Sequence, residues 1–404
     1  MKSNWPPRKL GDLCEIVADK PDKFIGSKKY YTTGGINNSG DYTYELVDYK
    51  TRPGRADLMP EVGDVGFAKM KNTNKVFRVD ENLKGSIFST GFSFLRAKAD
   101  ILSEYLFIFV ASHKFQKIKD DLAGDGIMGG IKKSDITKIE LSLPPVETQK
   151  KIIKIVNAVF ERVTKAKEST EKNLQNAREL FESYLQSVFA NSGDGWEESK
   201  FGEIIELLTD YHANGSYQVL KANVELKEFE DYAWMVRSTD FENNFENGKR
   251  YITKKAYNFL SKSKIFGDEI IISKIGNVGK VYLMPKIDRP CSLAMNLFLI
   301  RLNEKKCLSK YVYRYLNSKN GQEQIKSRVL GTTTKTITKD NVRSIKIPFP
   351  TLNMQQRIVL KLDELSAEAK KLEAIYQQKL ADLEELEKII LHKAFNGELA
   401  GACS

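Results

Sequence analysis

The chain has 404 residues, 41% hydrophobic and 29% charged, with 64 Lys and Arg against 53 Asp and Glu for a formal net charge of +11; its pI is near 9.1. That is enough chain for at least two domains with cores of their own. The basic balance points to a polyanion, nucleic acid ahead of a membrane surface or incidental basicity, because Lys and Arg that neutralise phosphates release counterions. No run of about 18 apolar residues occurs, so no membrane span is expected. The opening Met1-Lys2-Ser3-Asn4-Trp5-Pro6-Pro7 lacks the apolar core of a signal peptide, so a cytoplasmic protein is expected. Cys14, Cys291, Cys307 and Cys403, like His113, His212 and His392, are scattered without metal-ligand spacing; free thiols are the default and no metal site is expected.

The elements follow a plan of globule, helix, globule, helix. Residues 1–143 form a mixed block rich in Gly, Tyr and Phe, with short strand-like runs such as Asp64–Ala68 and Phe92–Leu95 broken by turn residues. A helix is predicted from Ser103 to about Lys119, with Tyr105, Leu106, Phe109 and Val110 on one side. Pro144 and Pro145 close a strand and open a helix, since proline fits a first helical turn but not an interior. That helix fills 144–190, and its stripe of Ile152, Val156, Val159, Val163, Ala166, Thr170, Leu174, Ala177, Phe181, Tyr184 and Val188 steps by 4 and 3 as a coiled-coil seam does. A breaker-rich linker, Asn191–Gly195, leads into a second mixed block over 191–349. Pro350 opens a second helix with Ile358, Leu362, Leu365, Ala369, Leu372, Tyr376, Leu380, Leu383, Ile390 and Ala394 on its stripe, ahead of a short C-terminal tail to 404. Each helix is about 40 residues, or roughly 60 Å.

The second half repeats the first. From Ser103 to Phe189 a shift of 206 lands on a matching residue again and again, as in Ser112/Ser318, Gln116/Gln322, Ile131/Ile337, Lys133/Lys339, Gln149/Gln355, Leu185/Leu391 and Phe189/Phe395. Such a duplication predicts two copies of one surface related by a pseudo-twofold axis, with the two stripes packed as an antiparallel coiled coil between two α/β globules, an α+β fold.

Catalytic motifs are wanting. Gly276-Asn277-Val278-Gly279-Lys280 is too short for a phosphate loop and reads as a hairpin turn, and the glycine-rich Gly124–Gly130 reads as a flexible loop. Glu225-Leu226-Lys227 with Asp210 upstream has the acidic, acidic, lysine spacing of metal-dependent nucleases, but chance supplies it readily in a lysine-rich chain and the first copy has no counterpart. What the mixed blocks do carry is basic, amide and aromatic residues on turn-rich segments: Lys28, Lys29 and Tyr31; Lys69, Lys71, Asn72 and Asn74; Arg237 and Ser238; Lys274, Asn277, Lys280 and Lys335. Both copies place a Lys-x-x-Asn at a strand end, Lys69/Asn72 and Lys274/Asn277. Lys neutralises phosphate, Asn can read adenine and Arg guanine; each of these residues singly fits a solvated loop equally well.

The order of these features resembles the specificity subunit of type I restriction–modification enzymes. The resemblance rests on Trp5…Leu10-Gly11-Asp12 and Trp196…Phe201-Gly202-Glu203, on Gly63-Asp64 and Gly267-Asp268 as strand starts, and on Pro144/Gln149 and Pro350/Gln355 ahead of the long helices. It implies a chain without catalytic residues or cofactor, whose two target recognition domains (1–143 and 191–349) each read half of a bipartite double-stranded DNA site. It further implies spacer helices that dock two methyltransferase subunits, with Pro144, Gln149, Pro350 and Gln355 as candidate docking or helix-start positions, and restriction and translocase subunits joining that core. The residues by themselves leave open a coiled-coil scaffold that binds only protein, and a nuclease with fused recognition domains.

Overall fold

The computed structural model describes residues 5–37, 42–124, 129–190, 195–396 and 398–399. Asn38, the 125–128 part of the glycine-rich loop, the 191–194 part of the linker and Cys403 lie outside the described residues. The chain divides into two compact units, one made of Met1–Lys172 and Tyr376–Ser404, the other of Asn173–Ile375.

Both units are built on one topology. In the first, an antiparallel inner sheet runs in the order Cys14–Val17, Phe92–Ala97, Val65–Ala68, Val76–Arg78. An outer sheet runs Glu45–Asp48, Ser27–Tyr31, Ile87–Ser89, Ala56–Leu58, with a parallel central pair. The second unit repeats the inner sheet as Ile205–Asp210, Leu297–Leu302, Ile270–Ser273, Val281–Leu283. Its outer sheet is Tyr251–Ile252, Ala233–Val236, Cys291–Leu293, Lys264–Ile265, again with a parallel centre. The strands Val65–Ala68 and Ile270–Ser273 are buried throughout because both faces are covered, which is why Val65–Ala68 and Ile270–Ile272 read as runs without a polar side chain. Alternate side chains divide between two cores. Val65 and Phe67 pack on the helices with Tyr105, Phe109 and Phe115, while Ala68 and Phe94 pack against the outer sheet with Tyr31 and Phe88.

The helix predicted from Ser103 is two helices, Ser103–Ala111 and His113–Leu122. Ser112 breaks them apart: its Oγ donates to the Phe109 carbonyl and accepts from the Phe115 amide, 3.3 Å away, capping the second helix. Ser318 does the same between Ser309–Leu316 and Lys319–Lys326. Gln116 and Gln322 reach back to the carbonyls of Val110 and Leu316 at 2.7 and 2.8 Å. Hydrogen-bonding duties of this kind account for the matched pairs Ser112/Ser318 and Gln116/Gln322.

The two long helices, Val146–Ala190 and Leu352–Asn396, have 45 residues each. Lys167 meets Glu387 at 2.8 Å in the first unit and Arg178 meets Glu373 at 3.2 Å in the second; numbers rise along one helix as they fall along the other, so the pair is antiparallel. Ile152, Val156, Val163, Thr170 and Ala177 are buried on the predicted seam, and Thr170 satisfies its hydroxyl on the Ala166 carbonyl. Past Ala177 the seam departs from the prediction: Tyr184 is exposed, and Leu185 and Phe189 are buried instead. Val146–Ala190 starts in the core of the first unit and ends in that of the second, and Leu352–Asn396 starts in the second and ends in the first. Leu185 and Phe189 pack with Tyr311 and Tyr315, while Leu391 and Phe395 pack with Tyr105 and Phe109. Globule contact, not the interhelical seam, chooses the buried face there.

Candidate nucleic-acid interface

In each unit the two strands at one edge of the inner sheet are joined by a seven-residue hairpin loop, 69–75 and 274–280. Both loops are held in the same way at their ends. The Lys69 amide donates to the Gly91 carbonyl at 3.0 Å and the Lys274 amide to the Asn296 carbonyl at 2.8 Å, while the carbonyls of Lys69 and Lys274 accept from the amides of Ile131 and Ile337. This lays segments around 130 and 336 alongside, through bridges from Met70 to Gly130 and from Ile275 to Thr336. The expected hairpin at Gly276–Lys280 is therefore present.

Between those ends the loops are shaped by different chemistry. In the first unit Asn72 adopts a left-handed backbone, φ +57°, and its amide donates to Asp120 Oδ1 at 3.1 Å. Lys119, fully buried, donates to the Thr73 carbonyl at 2.7 Å and pairs with Asp120 at 3.1 Å. Burial pushes the Lys119 ammonium down from its ordinary pKa, against the favourable pull of Asp120. Lys75 donates to the Thr33 carbonyl at 2.6 Å, fastening the loop to the turn after the outer strand, and leaves Lys71, Asn72 and Asn74 exposed.

In the second unit Glu242 is the fastening. Its Oε1 accepts from Asn277 Nδ2 at 3.2 Å, Lys280 Nζ at 3.0 Å and the Tyr282 hydroxyl at 3.3 Å. The hydrogen bond from Lys280, with its charge, holds the Glu242 carboxyl below the usual range. Glu242 ends the short helix Ser238–Glu242, which Arg237 precedes. The Arg237 guanidinium is committed to buried Asp240, at 2.9 Å from Nη2 to Oδ1, and to the Gly248 carbonyl. Lys335 is exposed on the loop that Thr336 closes onto Leu330 and Ile275.

The sequence candidates thus fall into groups. Lys69, Lys71, Asn72 and Asn74 share one loop, and Lys274, Asn277, Lys280 and Lys335 gather at the equivalent place, with the Arg237–Ser238 turn joined through Glu242. Lys28, Lys29 and Tyr31 lie apart on the outer sheet. Lys28 is over the Phe24 ring and exposed Lys29 over Tyr44, at 5.2 and 4.9 Å, whereas Tyr31 is a core residue stacked on Phe88. Gln149 is buried: it donates to the carbonyls of Asp100 and Pro144 and accepts from the Leu102 amide, each at 2.9 Å. Gln355 repeats this with Lys306, Pro350 and Leu308. Both glutamines lock the helix starts, and their side chains are used up within their own units. Glu242 and Lys119, which shape the loops, carry no local sequence signal, because their partners are about 40 residues away.

One pairing of the repeat shifts by a residue. Asp64 accepts from the Glu61 amide and pairs with Arg96; the residue that accepts from the Phe266 amide and pairs with Arg301 is Glu269. Gly63 therefore corresponds to Asp268, both with positive φ, and Asp64 corresponds to Glu269 rather than to Asp268. Of the nuclease-like triplet, Asp210 is paired with Lys274 and Lys227 with Asp231, at 2.7 Å in each case, so both are committed to ion pairs. Cys14, Cys291 and Cys307 are buried free thiols pushed up to about 12 by desolvation. Among the described residues no helix is long and apolar enough to cross a membrane.

A duplicated α+β frame that carries paired, basic, differently furnished hairpin loops, with an antiparallel helical pair running through it, defines a two-unit recognition protein. The chain belongs to the family of the type I restriction modification DNA specificity domain, whose model matches residues 2–175 and again 193–381. It is 25% identical over 432 residues to the MjaX specificity subunit of Methanocaldococcus jannaschii, covering 98% of this chain and 94% of that relative. A match to the HindI specificity subunit of Haemophilus influenzae, 25% identical over 190 residues, spans 45% of this chain and 41% of that one. The fold is shared with a chain solved in work on complex assembly and conformational transition of the type I R-M system, with TM-score 0.81, 21% identity and coverage of 98% and 99% of the two chains. It is a specificity subunit of the type I restriction–modification class, and the recognition family to which it belongs is non-catalytic.

Proposed function

We propose that this chain reads a bipartite sequence in double-stranded DNA, one half with each recognition domain (1–143 and 191–349), and that its helices, 144–190 and 350–404, set the separation and dock two methyltransferase subunits, which restriction and translocase subunits join in the cytoplasm. The observation that carries this reading is the pair of hairpin loops: they are held at both ends by the same hydrogen bonds and differ between those ends in fastening and in exposed side chains. A shared frame with divergent donors and acceptors is what two different half-sites require. Two sites on one face of B-DNA lie about one helical turn apart, roughly 34 Å.

The test lengthens the ruler. Seven residues inserted into Lys165–Leu174 and seven into the equivalent Lys371–Leu380 keep the helical faces aligned and add roughly 10 Å. Methylation mapping of cells that carry the variant should return both original half-sites with a longer spacer. An unchanged spacer with lost half-site readout would defeat the proposal.

A further inference from the structure

Two lysines recur at the same places of the repeated fold with different company. Lys69 and Lys274 open the equivalent hairpin loops, and Lys133 and Lys339 stand two residues beyond Ile131 and Ile337, whose amides bind the carbonyls of those loop lysines. In the second unit both ammonium groups turn to one carboxylate: Lys274 Nζ lies 2.7 Å from Asp210 Oδ2 and Lys339 Nζ 3.6 Å from Asp210 Oδ1. Asp210 ends the strand Ile205–Asp210, one residue past Thr209, which pairs with Leu299. In the first unit Val17 pairs with Phe94, and Phe94 pairs with Gly66 as Leu299 pairs with Ile271. The residue past Val17 is Ala18. A methyl group thus stands where the second unit has its carboxylate.

Among the described residues no carboxylate forms an ion pair with Lys69 or Lys133. Lys69 is half-buried, and its ammonium is pushed below the ordinary lysine value by burial and then by the charge of Lys133. Two like charges, one of them partly desolvated, stand near enough for one to shift the other, and the equivalent pair in the second unit shows what such lysines take: an anion with two oxygens, one for each lysine.

We propose that Lys69 and Lys133 bind a phosphodiester of the DNA backbone, and that Asp210 fills the equivalent position in the second unit, so that Lys274 and Lys339 take no phosphate. The two non-bridging oxygens of a phosphodiester replace the two carboxylate oxygens. The inference rests on the DNA-reading function and adds that the two domains grip the backbone unequally. It also removes Lys274 from the direct DNA contacts.

The full chain is titrated with a mixed-sequence DNA duplex over a range of KCl, and the slope of log K against log[KCl] is read. Ala18→Asp should install the internal anion in the first unit and flatten the slope by about one, the share of a single phosphate. Lys69→Gln and Lys133→Gln should each do the same, and the double variant should lose no more than either alone, because both lysines serve one phosphate. Asp210→Ala should steepen the slope by about one, a gain that misfolding cannot produce. Exposed Lys23→Gln serves as the control for loss of general charge. Slopes unchanged in Ala18→Asp or Asp210→Ala, an additive double variant, or an equal effect at Lys23 each overturn the proposal while leaving DNA binding standing. A wild-type chain that binds duplex without salt dependence overturns the DNA-reading function as well.

Discussion

The first unit holds its hairpin loop with a buried lysine, the second with a surface glutamate. Lys119 reaches the Thr73 carbonyl from beneath, and the residue in its place in the second unit is Ile325, whose side chain packs directly under Gly279. Without that ammonium, the second loop is fastened from the outside, by Glu242 onto Asn277, Lys280 and Tyr282. The frame beneath is nonetheless the same, strand for strand. The difference teaches that the two copies keep what is satisfied by backbone geometry and drift in what is satisfied by side chains facing the loops. A backbone partner is indifferent to which residue carries it, whereas a side-chain partner changes with every substitution.

The largest expected effect tests the shared part. Phe189→Ala and Phe395→Ala should each destabilise by about 3–5 kcal/mol, the usual range for an emptied aromatic site in a core. Each should loosen the unit in which its ring is buried: hydrogen exchange should accelerate in Ser103–Ala111 for Phe395→Ala and in Ser309–Leu316 for Phe189→Ala. Loosening of the opposite unit would break the account of exchanged helix ends.

A smaller effect should separate the units by pH. Burial alone would raise the Asp210 carboxyl, but the hydrogen bond and charge of Lys274, with the charge of Lys339, overcome it and hold it below 3.8, its ordinary value. A depressed carboxyl contributes stability that is present above that value and is lost as pH falls through the folded one. Asp210→Asn should therefore cost about 1.5–3 kcal/mol at neutral pH, the scale of a hydrogen bond to a charged group. The gap between it and the parent should close on acidification below about 3.8. Denaturant melts at stepped pH measure this, and a gap that persists in strong acid would sink the assignment.

The smallest expected difference is a single hydroxyl. Tyr311 donates to the Pro348 carbonyl at 2.6 Å, whereas the equivalent Tyr105 hydroxyl is buried with no hydrogen-bond partner among the described residues. Tyr311→Phe should cost about 1 kcal/mol and Tyr105→Phe should be neutral or slightly stabilising, because it removes an unsatisfied polar group. Thermal unfolding of the two variants checks the sign.

Much of the frame could be read before any coordinates, because it depends on local pattern. The strand-like runs at Asp64–Ala68 and Phe92–Leu95, the hairpin at Gly276–Lys280 and the two proline-led helices follow from periodicity and turn chemistry. Side chains are not legible in the sequence where a distant partner decides their place. Tyr31 has the look of a surface aromatic beside two lysines, yet Phe88 takes its ring into the core. Arg237 has the look of a guanine reader, yet buried Asp240 holds its guanidinium. Asp210 has a metal-like spacing, yet its carboxylate is taken by two lysines, one 64 residues and one 129 residues farther along, and by the nearby Ala213 amide.

By itself the sequence determined the duplication, the basic charge and the two long helices, since matched residues, composition and a 3.5-residue period are all visible along the chain. Only the tertiary structure decided that Leu185 and Phe189, at the end of the first helix, complete the second unit's core, and that Leu391 and Phe395 complete the first unit's. The same is true of the carboxylate that sits between one pair of repeated lysines and is replaced by a methyl group beside the other. Both facts depend on which residues meet across a fold, and no spacing along a chain encodes that meeting when the partners lie in separate elements.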